Sequence, residues 1–341
     1  MADAAQTWVP DPALLAAAAG GDEHAFRRLV EPHRTELHAH CYRMLGSLHD
    51  AEDALQETLL RAWRALPRFG GERLLRPWLY RIATNVCINA LARRPRRLLP
   101  TEQGEPARPG DEPGQPLAEG VWVEPYPDDA IGVADGSAAP EARYEQREAV
   151  ELAFIVALQH LPATQRAVLI LRDVLGFSAR EAAETLETTP AAVNSALQRA
   201  RRAVAERLPA RSQQATLQAL GDAKVRALVE RYIAAWQRGD VDAIAGMLAD
   251  DATFAMPPFP AWWRGREVIA AFAAEPVHRY LPARANGQPA NAAYRWDEQQ
   301  GCYVAEALEV LTLEGSRIAA MTAFMMPEVF PRFGLPETLP G

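Results

Sequence analysis

Residues 178–202 read Ser-Ala-Arg-Glu-Ala-Ala-Glu-Thr-Leu-Glu-Thr-Thr-Pro-Ala-Ala-Val-Asn-Ser-Ala-Leu-Gln-Arg-Ala-Arg-Arg. Ser178 with Glu181 three positions later is a capping box, in which each side chain satisfies a free backbone amide at the start of a helix. Thr189 is a second N-cap, for a helix over residues 190–207 that begins with proline, where a missing N–H does no harm. Two capped helices joined by a tight turn, the second long and rich in arginine, predict a DNA-binding helix-turn-helix.

A second stretch, Asp50-Ala-Glu-Asp-Ala-Leu-Gln-Glu-Thr-Leu-Leu-Arg-Ala-Trp63, predicts a helix with two different sides. Leu55, Leu59 and Ala62 recur at spacings of three and four residues, which is typical of a buried face. The other side carries four polar residues: Glu52, Asp53, Gln56 and Glu57. By pattern alone, the simpler interpretation of such a face is contact with solvent.

Residues 77–94 predict the next helix, with Leu79, Ile82 and Val86 on its buried side. Polar residues four positions apart form a stripe along the opposite side: Arg81, Asn85, Asn89 and Arg93. Arginine binds phosphates and amide side chains read base edges, so this mixture suits contact with nucleic acid. Trp78 offers a stacking surface for a base, and packing into the core is its alternative interpretation.

These stretches resemble the small extracytoplasmic-function sigma factors of bacterial RNA polymerase. Residues 50–63 are similar to sigma region 2.2, residues 77–94 to regions 2.3–2.4, and the helix-turn-helix to region 4. The resemblance implies a cytoplasmic protein that binds core RNA polymerase through its β and β′ subunits, recognises the −10 and −35 elements of promoter DNA and initiates transcription.

The resemblance also implies three sets of contact residues. The expected polymerase-binding residues are Glu52, Asp53, Gln56 and Glu57. The expected −10 contacts are Trp78, Arg81, Asn85, Asn89 and Arg93, with a loop over residues 69–75 that captures a flipped base. The expected −35 contacts are Thr189, Asn194, Ser195, Gln198, Arg199 and Arg202. Asn194 and Ala196 stand where related chains often carry basic residues, so weaker and less salt-sensitive −35 binding is expected.

Residues 96–140 interrupt the helical patterns, and eight prolines lie between Pro95 and Pro127. One arginine against nine acidic residues over residues 99–140 gives this segment a net charge of −8. We expect an extended or mobile linker, whose charge either keeps it soluble or imitates nucleic acid inside the polymerase. Trp122 and Tyr126 are costly to leave in water, and we expect them to pack against the C-terminal domain.

After residue 222 two short helices, over about 222–238 and 240–249, precede strand-like runs at 252–256, 303–313 and 317–326. Residues 232–244, 250–258 and 262–269 resemble the SnoaL-like branch of the cone-shaped fold shared with nuclear transport factor 2. That fold encloses a pocket, and four residues are candidate polar liners: Asp251, His278, Arg279 and Asn286. The simpler interpretation of each is a surface or structural residue. The sequence contains no convincing Asp/His pair, so we assign no catalytic residue.

The predicted fold is therefore multidomain. Two all-α sigma domains, a region 2 helical bundle (11–95) and a region 4 helix-turn-helix (141–211), flank the linker (96–140) and precede an α+β SnoaL-like domain (222–341). The resemblance implies that this last domain regulates activity through intramolecular contact with the sigma domains, in either an active or an autoinhibited arrangement.

Bulk composition agrees with this interpretation. The net charge of −8 hides a basic segment, since residues 11–98 carry 14 arginines against 10 acidic residues. Three widely spaced cysteines argue for a reducing cytoplasm and against a metal site, and we expect no cofactor. No apolar run reaches the roughly 18 residues that span a membrane. Two alternatives stay open: a small-molecule sensor or enzyme fused to a DNA-binding regulator, and a plain helix-turn-helix regulator.

Overall fold

The computed structural model describes residues 11–69, 74–117, 120–131, 140–274 and 278–341. Most of the loop expected to capture a flipped base, residues 70–73, lies outside the described residues. The helices are α1 (Pro12–Ala19), α2 (Glu23–Leu45), α3 (Leu48–Ala65), α4 (Leu75–Leu91), α5 (Pro140–Glu148), α6 (Leu152–Gln159), α7 (Ala163–Leu169), α8 (Ala179–Thr185), α9 (Pro190–Ala205), α10 (Gln213–Leu220), α11 (Asp222–Arg238), α12 (Val241–Met247) and α13 (Arg266–Ala270). The strands are β1 (Leu248–Ala255), β2 (Trp262–Arg264), β3 (His278–Ala285), β4 (Gln288–Asp297), β5 (Cys302–Glu314), β6 (Arg317–Phe324) and β7 (Thr338–Leu339).

These elements form two compact units. Among the described residues, the first unit contains those up to residue 96, residues 130–131 and residues 157–207. The second contains residues 97–129, 140–156 and 208–341, with the gaps noted above. The chain thus passes between the units several times, and α6 belongs to both.

In the first unit, α2, α3 and α4 pack around a core that includes Leu37, Tyr42 and Leu79. Gly46 ends α2 with a φ of +70°, a conformation that favours glycine, and the side chain of Gln159 occupies the space where a Cβ would stand. The predicted helix at residues 50–63 is confirmed as part of α3, and the one at residues 77–94 is confirmed up to Leu91. Residues 92–94, with Arg93 among them, lie in the turn that follows α4.

The helix-turn-helix follows the predicted caps. The capping box of Ser178 and Glu181 starts α8, and Thr189 accepts the amide of Ala192 at 3.2 Å to start α9. The buried face of α9 consists of Val193, Ala196, Leu197, Ala200 and Val204. The predicted helix-turn-helix is therefore confirmed.

The second unit contains a seven-stranded sheet. Its strand order is β2-β1-β6-β5-β4-β3, with β7 paired to β5 and only β1 and β6 parallel. Apolar residues of α11 pack on this sheet, among them Tyr232 and Trp236. The predicted helices α11 and α12 and the strand segments within β1, β5 and β6 are confirmed. Pro282 lies in β3, which tolerates it because β3 is an edge strand.

The acidic linker is extended as expected, but contacts with the second unit hold its described residues in place. The amide of Ala107 donates to the carbonyl of Trp262 at 2.7 Å, and that of Leu117 donates to the carbonyl of Pro258 at 3.0 Å. The expectation of a mobile linker is wrong for these residues, because their backbone amides donate hydrogen bonds to carbonyls of the β1–β2 region.

None of the helices in the described part of the chain has the length and apolar character needed to cross a membrane. Over the same residues, no group of three or more His, Cys, Asp or Glu side chains could hold a metal ion.

Candidate polymerase and promoter interface

The polar face of α3 is accessible, as a docking surface requires. Asp53 and Gln56 are exposed, and Glu52 and Glu57 are half-buried. Ion pairs within the helix join Glu57 to Arg61 at 2.6 Å and Asp53 to His49 at 3.8 Å. Leu60, which sequence reasoning missed, is 42% exposed and follows Asp53, Gln56 and Glu57 at helical spacing on this face. This face is therefore accessible to another protein.

The polar stripe of α4 is divided between two environments. Asn89 and Arg93 are exposed, whereas Arg81 and Asn85 are half-buried. Trp78 is also half-buried, and its ring packs on Phe69 with centroids 4.8 Å apart. Part of the Trp78 indole therefore faces outward beside the loop that precedes α4.

Within the first unit, the helix-turn-helix contacts the N-terminal half of this stripe. Arg81 forms an ion pair with Glu187, which lies in the turn between α8 and α9 with a φ of +53°. The rings of Tyr80 and Phe177 lie 5.4 Å apart, and the Arg76 guanidinium lies 5.5 Å from the centroid of Phe177. In this arrangement Arg81 is engaged by an acidic residue of the helix-turn-helix.

A buried arginine ties the two modules together. Arg166 of α7 is 4% exposed, and its guanidinium donates to the carbonyl of Met44 at the end of α2. It also donates to the side-chain oxygen of Gln159 at 2.6 Å, to the Gln159 carbonyl at 3.0 Å and to the Leu161 carbonyl at 3.3 Å. Burial lowers the pKa of Arg166 to about 10. Sequence reasoning missed this residue because Met44, its partner in region 2, lies 122 positions away along the chain.

The exposed face of α9 carries all six residues expected to contact the −35 element: Thr189, Asn194, Ser195, Gln198, Arg199 and Arg202. Arg201 lies beside them but forms two hydrogen bonds to Asp173, at 2.7 and 2.8 Å. A groove of about 370 Å³ runs next to this pair, lined by Arg172, Asn194, Leu197, Gln198 and Arg201. With Arg201 paired, Arg199 and Arg202 are the better-placed cations for phosphate contact.

The aromatic residues of the linker lie within the second unit. The indole N–H of Trp122, which is 5% exposed, donates to the carbonyl of Pro258 at 3.0 Å. Tyr126 is fully buried, and its amide donates to Oδ1 of Asn286 at 2.9 Å. The Asn286 amide donates back to the Tyr126 carbonyl at 2.8 Å.

The four candidate pocket liners have different surroundings. Asn286 contacts the linker rather than a pocket, and Asp251 and Arg279 are exposed, with Arg279 over the Tyr303 ring. These surroundings agree with the simpler interpretation of the three as surface or structural residues. His278 is half-buried and hydrogen-bonds Glu306.

The sheet face under α11 holds a buried carboxyl that sequence reasoning missed. Glu309 of β5 is 6% exposed and accepts a hydrogen bond from the Tyr232 hydroxyl at 3.0 Å. The amide of Asn291 lies 3.4 Å from its other oxygen, and Oδ1 of Asn291 has no hydrogen-bond partner among the described residues. Burial raises the pKa of Glu309 to about 7 despite these bonds. Perturbed carboxyls of this kind are typical of ligand sites.

Three family models match the chain: Sigma-70 region 2 over residues 29–97, Sigma-70, region 4 over residues 151–204, and the SnoaL-like domain over residues 229–321. The ECF RNA polymerase sigma factor SigG of Mycobacterium tuberculosis is 43% identical over 324 residues, which cover 92% of this chain and 85% of the relative. SigM of the same organism is 30% identical, over 58% of this chain and 84% of the relative.

Among solved structures, that of the M. tuberculosis extracytoplasmic function sigma factor SigJ matches with a TM-score of 0.54. It is 22% identical, and the match covers 89% of this chain and 97% of that one. Together these matches define the class as a multidomain sigma factor with two helical sigma regions and a C-terminal SnoaL-like domain. The chain belongs to the ECF RNA polymerase sigma factors. The expected family and fold class are thereby confirmed.

Proposed function

We propose that this sigma factor binds the β and β′ subunits of core RNA polymerase, with β′ held by the α3 face of Glu52, Asp53, Gln56 and Glu57. The α4 stripe (Trp78, Arg81, Asn85, Asn89 and Arg93) reads the −10 element, and the exposed face of α9 reads the −35 element. The proposal rests chiefly on one observation, the exposure of the α3 face with Leu60 among its acids. A DNA-binding regulator that did not bind polymerase would have no need of that surface.

The contact between Arg81 and Glu187 supports a closed resting state. The two promoter elements are named for positions about 25 base pairs apart, which is about 85 Å along B-DNA. A helix-turn-helix that pairs with the −10 stripe cannot at the same time lie on the −35 element. Promoter recognition therefore requires this contact to break, and we propose that the C-terminal domain regulates the opening in cis.

The linker is the proposed connection for this regulation. Trp122 and Tyr126 pack within the second unit, and the linker that carries them leads from region 2. The burial of Trp122 and Tyr126 holds the linker on the C-terminal domain. A linker held in this way limits how far the two sigma regions can separate.

Run-off transcription tests the proposal. Promoter fragments are selected from a genomic library with the wild-type holoenzyme and then transcribed with each variant of the full chain. Asp53→Arg reverses a charge on the α3 face, and we expect core binding about tenfold weaker because a charge pair is lost. Glu31→Arg, an equally exposed acid on α2, is the matched control. Absence of any promoter-specific transcript with the wild-type chain would refute the proposal.

A second candidate function, a small-molecule sensor or an enzyme in the C-terminal domain, is favoured by Glu309. A buried carboxyl beside an unpartnered amide oxygen is costly unless it serves a ligand. Thermal unfolding of the full chain with benzyl alcohol, benzylamine and benzoate as probes tests this. A saturable stabilisation that is lost in Glu309→Gln supports a ligand site, whereas no response to any probe argues against it.

A further inference from the structure

We propose that the C-terminal domain clamps the two chain segments at which region 4 begins and ends, and that Glu151 is the side chain that closes this clamp. The clamp consists of Glu151, Gln213, Gln214, Asn286 and Gln288, all in the second unit. The inference deepens the proposed regulation in cis and rests on it. It assigns that regulation to a second surface, which meets the Trp122 and Tyr126 contacts at Asn286.

The leading segment, just before α6, is held by the turn between β3 and β4. The side-chain amide of Asn286 donates to the carbonyl of Val150 at 2.8 Å. The amide of Leu152 donates to the side-chain oxygen of Gln288 at 2.9 Å. Both bonds are buried, since Asn286 is 0% and Gln288 1% exposed.

The trailing segment, the first turn of α10, is held by the same domain. The Gln213 side chain pairs with the backbone of Leu313, donating to its carbonyl at 2.9 Å and accepting from its amide at 2.8 Å. The Gln214 side chain donates to the carbonyl of Gly287 at 2.8 Å. Two glutamines in a row thus dock α10 on β5 and on the β3–β4 turn.

Glu151 joins the two segments to each other. One carboxyl oxygen accepts the amide of Gln213 at 3.0 Å, and the other accepts the amide of Gln214 at 2.7 Å. These amides belong to the first turn of α10, whose N–H groups have no partner within the helix. Ser212 caps the amide of Ala215 at 3.1 Å and hydrogen-bonds Glu148. The Glu151 carboxyl and the Ser212 hydroxyl together therefore satisfy the amides of the first turn of α10.

The clamp sets the separation of the two ends of region 4. While it is closed, residues 151 and 213 are one hydrogen bond apart, although 61 residues of chain lie between them. Removing the Glu151 carboxyl leaves two buried amides unpaired, so water must enter and the segments part. The two segments that flank region 4 are then no longer held to each other. The effect acts on the ends of region 4 and needs no contact between the C-terminal domain and the helix-turn-helix.

Hydrogen exchange and run-off transcription on the full chain test the clamp. In Glu151→Ala we expect the amides of Gln213 and Gln214 to exchange about tenfold faster, and run-off yield to change about fivefold. Glu151→Gln, which keeps one acceptor oxygen, should lie between and serves if the alanine variant does not fold. Glu145→Ala removes an exposed acid from α5 and is the matched control.

Three results are informative in different ways. Unchanged exchange at Gln213 and Gln214 in both Glu151 variants overturns the clamp. Faster exchange with run-off yield equal to the Glu145→Ala control overturns its role in regulation. A wild-type chain without promoter-specific transcription refutes the proposed function instead, and the exchange data then still decide whether Glu151 closes the clamp.

Discussion

Replacing Arg166 is expected to destabilise the first unit strongly. The guanidinium makes four hydrogen bonds, to Met44, twice to Gln159 and to Leu161. Hydrogen bonds to a charged group contribute about 1.5–3 kcal/mol each, which gives about 6–12 kcal/mol before the cost of burial. The fall in the pKa of Arg166 from 12.5 to about 10 corresponds to a burial cost of about 3 kcal/mol.

The difference leaves about 3–9 kcal/mol, and we expect the lower end because water enters when the side chain is removed. Arg166→Met, which keeps the apolar length, should therefore lower the free energy of unfolding of the first unit by at least about 3 kcal/mol. Urea unfolding followed by circular dichroism measures this. Arg180→Ala, at an arginine whose side chain is 84% exposed, is the control and should change little.

The bond to Met44 gives the prediction a second, independent measurement. Met44 lies in the last turn of α2 in region 2, so hydrogen exchange should increase at the end of α2 and not only around α7. A loss of unfolding free energy below about 1 kcal/mol would show that the hydrogen bonds of Arg166 contribute little to stability, as at an exposed arginine. An increase in exchange that is restricted to α7 would show that Arg166 does not tie region 2 to region 4.

Three further predictions follow from named contacts. Glu187→Gln removes the partner of Arg81, and because an exposed ion pair contributes about 0.2–1 kcal/mol, run-off yield should rise up to about fivefold; a fall in yield would contradict the closed state. The pKa of Glu309 is raised from 4.5 to about 7, so the folded state prefers the protonated carboxyl. The contribution of Glu309 to the stability of the second unit should therefore fall by about 3 kcal/mol as pH rises from about 4.5 to 7, and stay level above that range. Burial also raises the pKa of Glu151 to about 7, which adds a separate fall over the same range. Chemical unfolding across this range checks it, and in Glu309→Gln the part of the slope due to Glu309 should disappear. Trp122→Ala opens a cavity in the second unit and should cost about 3–5 kcal/mol of its unfolding free energy, while Trp296→Ala, at a tryptophan 38% exposed, should cost much less; equal losses would mean that Trp122 is not buried against Pro258.

Local signals predicted the parts of the fold that depend on neighbouring residues. The caps at Ser178 and Thr189 are set by side chains within three positions, so the bounds of α8 and α9 could be predicted closely. The polar faces of α3 and α4 followed from helical periodicity alone, although Leu60 was overlooked because a leucine in a helix is usually assigned to its core face.

Contacts between distant residues could not be predicted in this way. Glu309 and Tyr232 are 77 positions apart, and the packing of α11 on the sheet brings them together. Strand β3 carries a proline and two arginines, a composition that hides a strand until its edge position is known. Asn286 resembles an ordinary turn residue, and its contacts with two other segments depend on the path of the linker.

The order in which these parts are synthesised has a consequence for the cell. The helix-turn-helix is complete at about residue 205, whereas β7, which pairs with β5, lies at residues 338–339. At 5–20 residues per second, roughly 7–27 s of translation separate the two. A nascent chain therefore displays its DNA-binding helices before β3, β4 and β5, which receive the linker and α10, have been made. Under the proposed regulation in cis, restraint by the C-terminal domain is acquired last, and each new molecule passes through an unregulated interval while still attached to the ribosome.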